Sequence, residues 1–301
     1  MPKLPINKPT TMKEVIPSSE LIINEDGSVF HLHVRPEQLA DKVILVGDPG
    51  RVQTVAAHFD RLECDIQSRE FHTMTGTYKN KRITVVSTGI GCDNIDIVMT
   101  ELDALANIDF QTRTINDQLR TLELVRIGTC GGLQPENPIG TYIASCKSIG
   151  FDGLLNFYAG RNEVCDLAFE EAFKKHLDWN PLLCAPYVID ANPELIERVA
   201  GKEMARGVTI ACGGFFGPQG RKVRLALADP DQNERVESFR YEGWKITNFE
   251  MESSALSGLA RLMGHKAMTC CMVIANRLAG EANTDYKGSI DGLIQLVLDR
   301  I

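Results

Sequence analysis

The stretch VILVGDPGR, residues 43–51, decides the fold class of this chain. A short, continuous apolar run comes first and ends in a Gly-Asp-Pro-Gly turn. Apolar residues at helical spacing follow, at Val52, Val55, Ala56 and Phe59. A continuous apolar run is typical of a strand covered on both faces. The glycine- and proline-rich turn followed by helical spacing predicts that a helix begins directly after this strand.

The same form recurs along the chain. Further apolar runs that predict strands are RITVVSTG, LELVRIGT, GTYIASC, VTIAC, KITNFEME and AMTCCMVIAN. Helical spacing lies between or after them, at 95–105, at 255–263 where Gly264 ends the pattern, and at 290–297. Strands alternating with helices predict an α/β sandwich around a mainly parallel or mixed sheet.

Composition limits the class of protein. The chain has 301 residues, a hydrophobic fraction of 44%, a charged fraction of 24% and a formal net charge of −8. A nucleic-acid-binding protein normally carries a basic face, so the charge argues against that class. No apolar run approaches the roughly 20 residues that span a bilayer, and the first residues show no secretory pattern. We therefore expect a cytoplasmic protein that uses neither nucleic acid nor membrane as a partner.

The domain organisation follows from the same patterns. Residues 1–28 are polar and proline-containing, and are predicted to be an extension with little structure of its own. Residues 29–301 show no linker, composition shift or internal repeat, and are predicted to form one domain. The nine cysteines show no C-x-x-C spacing, and the adjacent pair Cys270 and Cys271 lies in an apolar run. We interpret them as reduced core residues.

Glycine-rich turns after the predicted strands mark candidate anion sites. Gly47 to Arg51 and Ser87 to Gly91 both join a strand to a helix, where a bare backbone and helix N–H groups favour a bound anion. Arg126 lies inside the apolar strand that leads to Gly128 and Thr129. A buried arginine needs an anionic partner. That partner is either a carboxylate of the fold or a bound phosphate. Neither a P-loop nor a full G-x-G-x-x-G fingerprint occurs.

Three motifs together resemble the nucleoside phosphorylase family, whose members act on purine nucleosides and uridine. They are GDPxR at 47–51, RIGT at 126–129 and NFEMES at 248–253, and the similarity runs from about Phe30 to the C-terminus. The resemblance implies a single-domain, three-layer α/β/α sandwich around a central mixed, partly barrel-like sheet. It also implies a site shared between subunits, and therefore a homo-oligomer that is at least a dimer.

Carried over by position, the resemblance assigns roles to particular residues. Phosphate would be bound by Gly47, Arg51, Arg126 and Thr129, with Arg69 reaching the phosphate of a neighbouring subunit. Ribose would be bound by Met251 and Glu252 with Glu250 beside them, and by His31 from across the interface. On a strand, Glu250 and Glu252 would project to one face and offer paired acceptors to the two ribose hydroxyls.

The segment from Phe215 to Arg221 is similar to the branch of the family that acts on uridine. A glutamine amide such as Gln219 matches the N3–H and a carbonyl of uracil, Arg221 would donate to a uracil oxygen, and Phe215 would stack against the ring. The purine branch has an aspartate near the Ile-Ala-Asn sequence at 274–276, where this chain has no acid, and Arg277 follows. Arg277 would assist at the base.

The implied reaction is reversible phosphorolysis of uridine to uracil and ribose 1-phosphate, with Arg126, Thr129, Gln219 and Arg221 as the catalytic groups. Inorganic phosphate would be a co-substrate, and no organic cofactor is implied. Some family members hold an interface metal ion through the counterpart of Glu70 and a serine, but this chain has Cys-Asp-Asn at 92–94 there. Whether this chain binds such an ion is therefore left open. Purine nucleoside phosphorolysis and phosphate-independent hydrolysis remain as alternatives.

Overall fold

The computed structural model describes residues 13–276, 280–283, 285 and 288–301. Its strands are β1 (Lys42–Val46), β2 (Arg61–Ser68), β3 (Phe71–Tyr78), β4 (Lys81–Ser87), β5 (Ile108–Asp109), β6 (Thr114–Ile115), β7 (Glu123–Gly132), β8 (Tyr142–Gly150), β9 (Tyr187–Asp190), β10 (Met204–Ala211), β11 (Arg240–Tyr241), β12 (Trp244–Glu250), β13 (Lys266–Asn276) and β14 (Glu281–Ala282). Its α-helices are α1 (Pro49–Ala56), α2 (Cys92–Asn107), α3 (Arg161–Val164), α4 (Leu167–Leu177), α5 (Pro193–Val199), α6 (Gln232–Ser238), α7 (Ser253–Met263) and α8 (Asp291–Arg300).

One large mixed sheet organises the molecule. Its strand order is β11-β12-β10-β8-β13-β7-β1-β4-β3-β2, with β9 paired to β8 and β14 paired to β13. Strand β12 pairs with β10 and also with β7, where Phe249 lies opposite Gly131. This second pairing closes β12, β10, β8, β13 and β7 into a ring. The predicted mixed, partly barrel-like sheet is confirmed.

Helices cover both faces of the sheet. The residues of β1 alternate between two cores: Ile44 and Val46 pack with α1, α5 and α8, whereas Val43 and Leu45 pack with α2 and α7. A strand buried on both faces has no polar side to present, which explains its continuous apolar sequence. The predicted three-layer sandwich is confirmed. Among the described residues, no helix is long and apolar enough to span a membrane.

The helix ends follow the capping residues in the sequence. At the start of α1 the Asp48 side chain accepts a hydrogen bond from the Gly50 backbone N at 2.9 Å, and Pro49 is the first helical residue. At the end of α7, Gly264 takes a positive φ of 80°. Phe59, which the helical spacing included, lies beyond the end of α1 and packs on the core beside it.

The sequence patterns predicted seven of the strands and the helices α1, α2, α7 and α8, but not β2, β3, β5, β6, β9, β11, β14 or α3–α6. The hairpin of β2 and β3 forms the edge of the sheet, and β2 is too polar and exposed to show a strand pattern. In residues 13–28 the structure places turns and a single bridge, between Ile23 and Val29. Arg113 holds this segment by donating to the backbone carbonyls of Ile16, Pro17 and Leu21. The division of the chain at residue 28 stays a prediction.

Candidate active site

A cleft of about 720 Å³ lies where β1, β4, β7, β12 and β13 end. Ligands in α/β proteins collect at the carboxyl ends of the strands, so this is the expected place for a site. The predicted site residues that line it are Gly47, Arg51, Glu70, Arg126, Thr129, Phe215, Gln219, Arg221, Glu250, Met251 and Glu252. The sequence therefore identified residues from five separate segments that the fold brings together.

Arg51 and Gly47 form one wall of the cleft. Arg51 is buried on the first turn of α1, and its Nη1 donates to the Ile127 carbonyl at 3.3 Å. Gly47 leaves a bare backbone beside the guanidinium of Arg126, since a Cβ placed there would lie 4.0 Å from Arg126 Nη2 and 3.4 Å from the Gly89 carbonyl. Cationic side chains beside bare backbone and a helix start suit a small anion.

The contacts of Arg126 show which anionic groups pair with this buried side chain. Its side chain is only 5% exposed, and it forms ion pairs with Glu250, at 3.2 Å from Nη1, and with Glu252 through Nη2. The anionic partners in the structure are therefore carboxylates of the fold. Arg126 also lines the cleft, and its Nε has no hydrogen-bond partner among the residues that the structure describes. One guanidinium thus connects the buried carboxylates to the space where an anion would bind.

Glu250 is the last residue of β12, and its carboxylate is saturated by the fold. It accepts from the Ser253 hydroxyl at 2.6 Å and from the backbone N of Glu252 and of Ser253, both at 3.0 Å. These bonds satisfy backbone donors at the start of α7. Burial, opposed by Arg126 and reinforced by repulsion from Glu252, raises the pKa of Glu250 to about 7. Glu250 thus acts as a support for Arg126 and α7.

Glu252 does not lie on the strand, so that detail of the prediction is wrong. Strand β12 ends at Glu250, and Glu252 is the residue that precedes α7. Both carboxylates nevertheless reach Arg126, and Glu252 also accepts from the Gly91 backbone N at 2.8 Å. Met251 between them is held through its carbonyl, which lies 3.1 Å from the Cys92 thiol. A carboxylate oxygen has two lone pairs, so Glu252 keeps acceptor capacity toward the cleft.

Phe215, Arg221 and Gln219 contact one another and form a further part of the cleft lining. The Arg221 guanidinium carbon lies 3.8 Å from the centre of the Phe215 ring. Arg221 Nη1 donates to the Phe215 carbonyl at 2.6 Å and to the side-chain oxygen of Gln219, which is buried. One face of Phe215, the residue predicted to stack on the base, is therefore occupied by Arg221. The Asn233 side chain donates to the Gln219 carbonyl at 3.3 Å and ties this loop to α6.

Two predicted site residues that the structure describes are not among those that line the cleft. His31 lies in a turn that precedes the 3-10 helix Pro36–Gln38, and it contacts Glu101, with its Nδ1 2.7 Å from Glu101 Oε1. Arg69 lies in the turn between β2 and β3, with its guanidinium carbon 5.4 Å from the centre of the Phe30 ring. These two residues were predicted to act in a neighbouring subunit. Arg277 lies outside the described residues.

The cleft also contains residues that the sequence reasoning did not assign. Ile90 and Asn94 lie in and after the turn that follows β4, and Cys130 follows Thr129. The sequence did predict the turn after β4 as a candidate anion-binding turn, but it assigned no role to the side chain of Ile90 or of Asn94. Within the described part of the chain, no group of three or more His, Cys, Asp or Glu side chains converges on a metal site. The interface ion stays a prediction.

Comparisons with known proteins identify the family of the chain. Residues 41–293 match the family model described as the phosphorylase superfamily. A uridine phosphorylase of Thermococcus kodakarensis is 30% identical, over 90% of this chain and 85% of its own length. A DeoD-type purine nucleoside phosphorylase of Bacillus subtilis is 28% identical, over 84% of this chain and 90% of its own.

A solved structure is similar over almost the whole chain. It is a Trypanosoma brucei nucleoside phosphorylase described as showing uridine phosphorylase activity, with a TM-score of 0.84, 26% identity, and coverage of 93% of this chain and 98% of that one. The family match covers well over half of the chain and includes every segment that lines the cleft. The chain therefore belongs to the phosphorylase superfamily, as its resemblance to nucleoside phosphorylases predicted.

Proposed function

We propose that this protein is a uridine phosphorylase, which converts uridine and inorganic phosphate reversibly to uracil and ribose 1-phosphate. The observation that carries the proposal is a single cleft lined by the cations Arg51 and Arg126, by the carboxylate of Glu252 and by the hydrogen-bonded pair of Gln219 and Arg221. These groups match, respectively, phosphate, ribose and pyrimidine base. The similar proteins named as uridine phosphorylases support it.

The chemistry needs positioning more than a protein nucleophile. Phosphate held by Arg51, Arg126, Thr129 and the Gly47 backbone attacks the glycosidic carbon as the bond to uracil breaks. Negative charge then builds on uracil, where Arg221 donates to an oxygen and the Gln219 amide pairs with the base edge. Charge-assisted hydrogen bonds of this kind contribute about 1.5–3 kcal/mol each. No organic cofactor takes part in this scheme.

The ribose is the remaining part of the substrate. Its two vicinal hydroxyls are donors, and Glu252 and Met251 both line the cleft. Glu250 is engaged with α7 and Arg126 and therefore serves as a support. In this scheme Glu252 is the carboxylate that contacts the sugar.

The competing function is phosphorolysis of purine nucleosides, which several similar proteins are named for. A purine leaving group benefits from a proton donor near N7. The cleft residues that β13 contributes are Ile274 and Ala275, which are apolar, so the described part of β13 offers no acid for that role. This observation favours a pyrimidine.

Base release with and without phosphate tests the function. We expect uracil release from uridine that requires phosphate and no added organic cofactor, together with slow or absent release from inosine. Faster cleavage of inosine would show that the base assignment is wrong while the reaction class stands. Release at the same rate without phosphate would make the enzyme a nucleosidase.

Replacement of Gln219 by alanine should raise the KM for uridine by about 10-fold or more. The KM for phosphate should stay within about 2-fold, because in this scheme the Gln219 amide contacts only the base. Steady-state kinetics with each substrate varied in turn measure both constants. The control is Lys222→Ala, which removes an exposed cation from the same loop. An effect on phosphate alone would show that the base end has been misplaced.

We also propose that the enzyme is at least a dimer with shared active sites. The turn between β2 and β3 supports this, because two adjacent residues there have different surroundings. Glu70 lines the cleft of its own chain, whereas the Arg69 guanidinium lies over the ring of Phe30, which in turn contacts His31. Arg69 adopts a positive φ of 55°, which is uncommon for a residue with a side chain. A strained turn that separates the two side chains fits an interface at which each chain completes its partner's cleft.

Mixing two impaired variants, assayed at a uridine concentration well below KM, tests the shared site. Arg69→Ala and Gln219→Ala homodimers should both be impaired, because each site lacks one group. After random mixing, about half of the dimers carry one chain of each kind, and one of their two sites is intact, so about a quarter of wild-type activity should return. Activity and size-exclusion light scattering on the mixture measure this. Activity no higher than the mean of the two parents would argue that each chain carries a complete site.

A further inference from the structure

A buried carboxylate holds the turn that carries His31. Glu101, on α2, is 7% exposed and accepts the backbone N–H of His31 at 2.9 Å through Oε1 and that of Leu32 at 2.8 Å through Oε2. The same Oε1 lies 2.7 Å from Nδ1 of the His31 ring. The two residues are 70 positions apart in the sequence, so this contact is a product of the fold.

These contacts determine which ring nitrogen carries hydrogen. Both oxygens of Glu101 already accept backbone hydrogens, so the carboxylate is an acceptor and Nδ1 of His31 must be the donor. A neutral imidazole then has Nε2 as an acceptor. The ring is also held edge-on by Phe30 and Phe71, with centroids 4.9 Å and 6.5 Å away, and 30% of the side chain stays exposed. His31 is thus fixed in direction and in tautomer.

We propose that Glu101 is a positioning residue for the substrate. It sets the Nδ1–H tautomer of His31 so that Nε2 accepts the hydrogen of a ribose hydroxyl in the partner's cleft. The inference rests on the proposed function with shared active sites, and on the role that the family resemblance implies for His31, contact with the ribose across the interface. Since Glu252 takes the vicinal hydroxyls in that scheme, the hydroxyl left for His31 is the one on C5′. Glu101 therefore acts on substrate recognition through His31 alone.

The test compares uridine with 5′-deoxyuridine, which lacks only that hydroxyl. Glu101→Gln should lower kcat/KM for uridine by about 10-fold, mainly through KM, and change the value for 5′-deoxyuridine by less than about 2-fold. In a His31→Ala background, Glu101→Gln should cause no further loss, because its effect passes through the ring. Equal losses with both substrates, or additive losses in the double variant, would overturn the proposal in favour of a purely structural role.

Helix α2 offers a matched control. Asp103, two residues further on, also faces a histidine, with its Oδ1 3.2 Å from His265 Nε2. Asp103→Asn makes the same chemical change on the same helix, and its ratio of uridine to 5′-deoxyuridine activity should match that of the wild type. If the wild-type enzyme cleaves inosine instead, the comparison is made with inosine and 5′-deoxyinosine. Failure of the base assignment is thereby kept separate from failure of this inference.

The tautomer can be observed directly in the unaltered protein. Long-range ¹H–¹⁵N NMR spectra distinguish a protonated Nδ1 from a protonated Nε2, and His31→Ala identifies the signal. We expect the Nδ1–H form at neutral pH. Observation of the Nε2–H form would overturn the proposal even if Glu101→Gln did not fold.

Discussion

Arg126→Ala is expected to lower kcat/KM for uridine phosphorolysis by about 10²–10³-fold, because it removes a donor that stabilises charge mainly in the transition state. The same change should also weaken the fold. Glu250 and Glu252 would remain buried without their cation, and breaking a buried ion pair in this way costs about 3–5 kcal/mol. Steady-state kinetics and urea unfolding of the same preparations measure the two effects.

The loss of stability in Arg126→Ala should depend on pH, because the protonation state of Glu250 depends on pH. The raised pKa of Glu250 determines whether the loss grows or shrinks as the pH rises. Burial already raises the pKa of Glu250 to about 7, and removal of Arg126 takes away the charge that opposes this rise. A carboxyl group whose folded-state pKa lies above its unfolded value stabilises the fold at low pH and loses that contribution as the pH rises through the folded-state pKa. The variant should therefore approach wild-type stability near about pH 5 and fall furthest below it near about pH 8.

A second buried ion pair provides the control. Arg161 pairs with Glu170 at 2.9 Å, with the two side chains 15% and 7% exposed, and neither lines the cleft. Arg161→Ala should destabilise the protein while leaving the KM for phosphate unchanged in the folded fraction. Full activity of Arg126→Ala, or a stability loss that is equal at all pH values, would contradict the role given to Arg126.

The local patterns of the sequence were sufficient for the long strands β1, β4, β7, β8, β10, β12 and β13 and for the helices α1, α2, α7 and α8. The strand–turn–helix junction around Asp48 and Pro49 is encoded within a few residues, because the cap, the proline and the apolar spacing all agree. The hairpin of β2 and β3 could not be predicted in the same way. It is a sheet edge whose β2 residues are largely exposed, so the periodicity that signals burial is missing.

The contacts between distant residues in the site could not be predicted from the sequence. Burial cost indicated that Arg126 needs an anion, but Glu250 lies 124 residues away, and only the pairing of β12 with β7 brings the two together. Glu252 was placed on the strand because nothing local shows that β12 ends at Glu250. The contact between Glu101 and His31 has no signature in either segment. Contacts between distant segments depend on topology, which short patterns do not encode.

Gly128→Ala is expected to lower kcat/KM for uridine by about 10²-fold, although it adds a single methyl group at a position that carries no functional side chain. A Cβ on Gly128 would lie 2.2 Å from Arg126 Nη1 and 3.1 Å from the Cys271 sulfur. The guanidinium cannot swing aside without cost, because Glu250 and Glu252 hold it from the other side. Either Arg126 leaves its carboxylates or the strands move apart, and overpacking of this kind also costs about 1–3 kcal/mol of stability.

The proposed cause can be separated from a general disturbance of β7 by combining the two changes. If the methyl group acts by displacing the guanidinium, Gly128→Ala should have little further effect in the Arg126→Ala protein, where the clashing group is gone. Gly288→Ala, where a Cβ would meet nothing within 4 Å in the described part of the chain, should leave both activity and stability at wild-type values. Additive losses in the double variant would instead mean that Gly128 matters through the packing of β7 against β13. The conformation of Arg126 would then be set by its carboxylates alone.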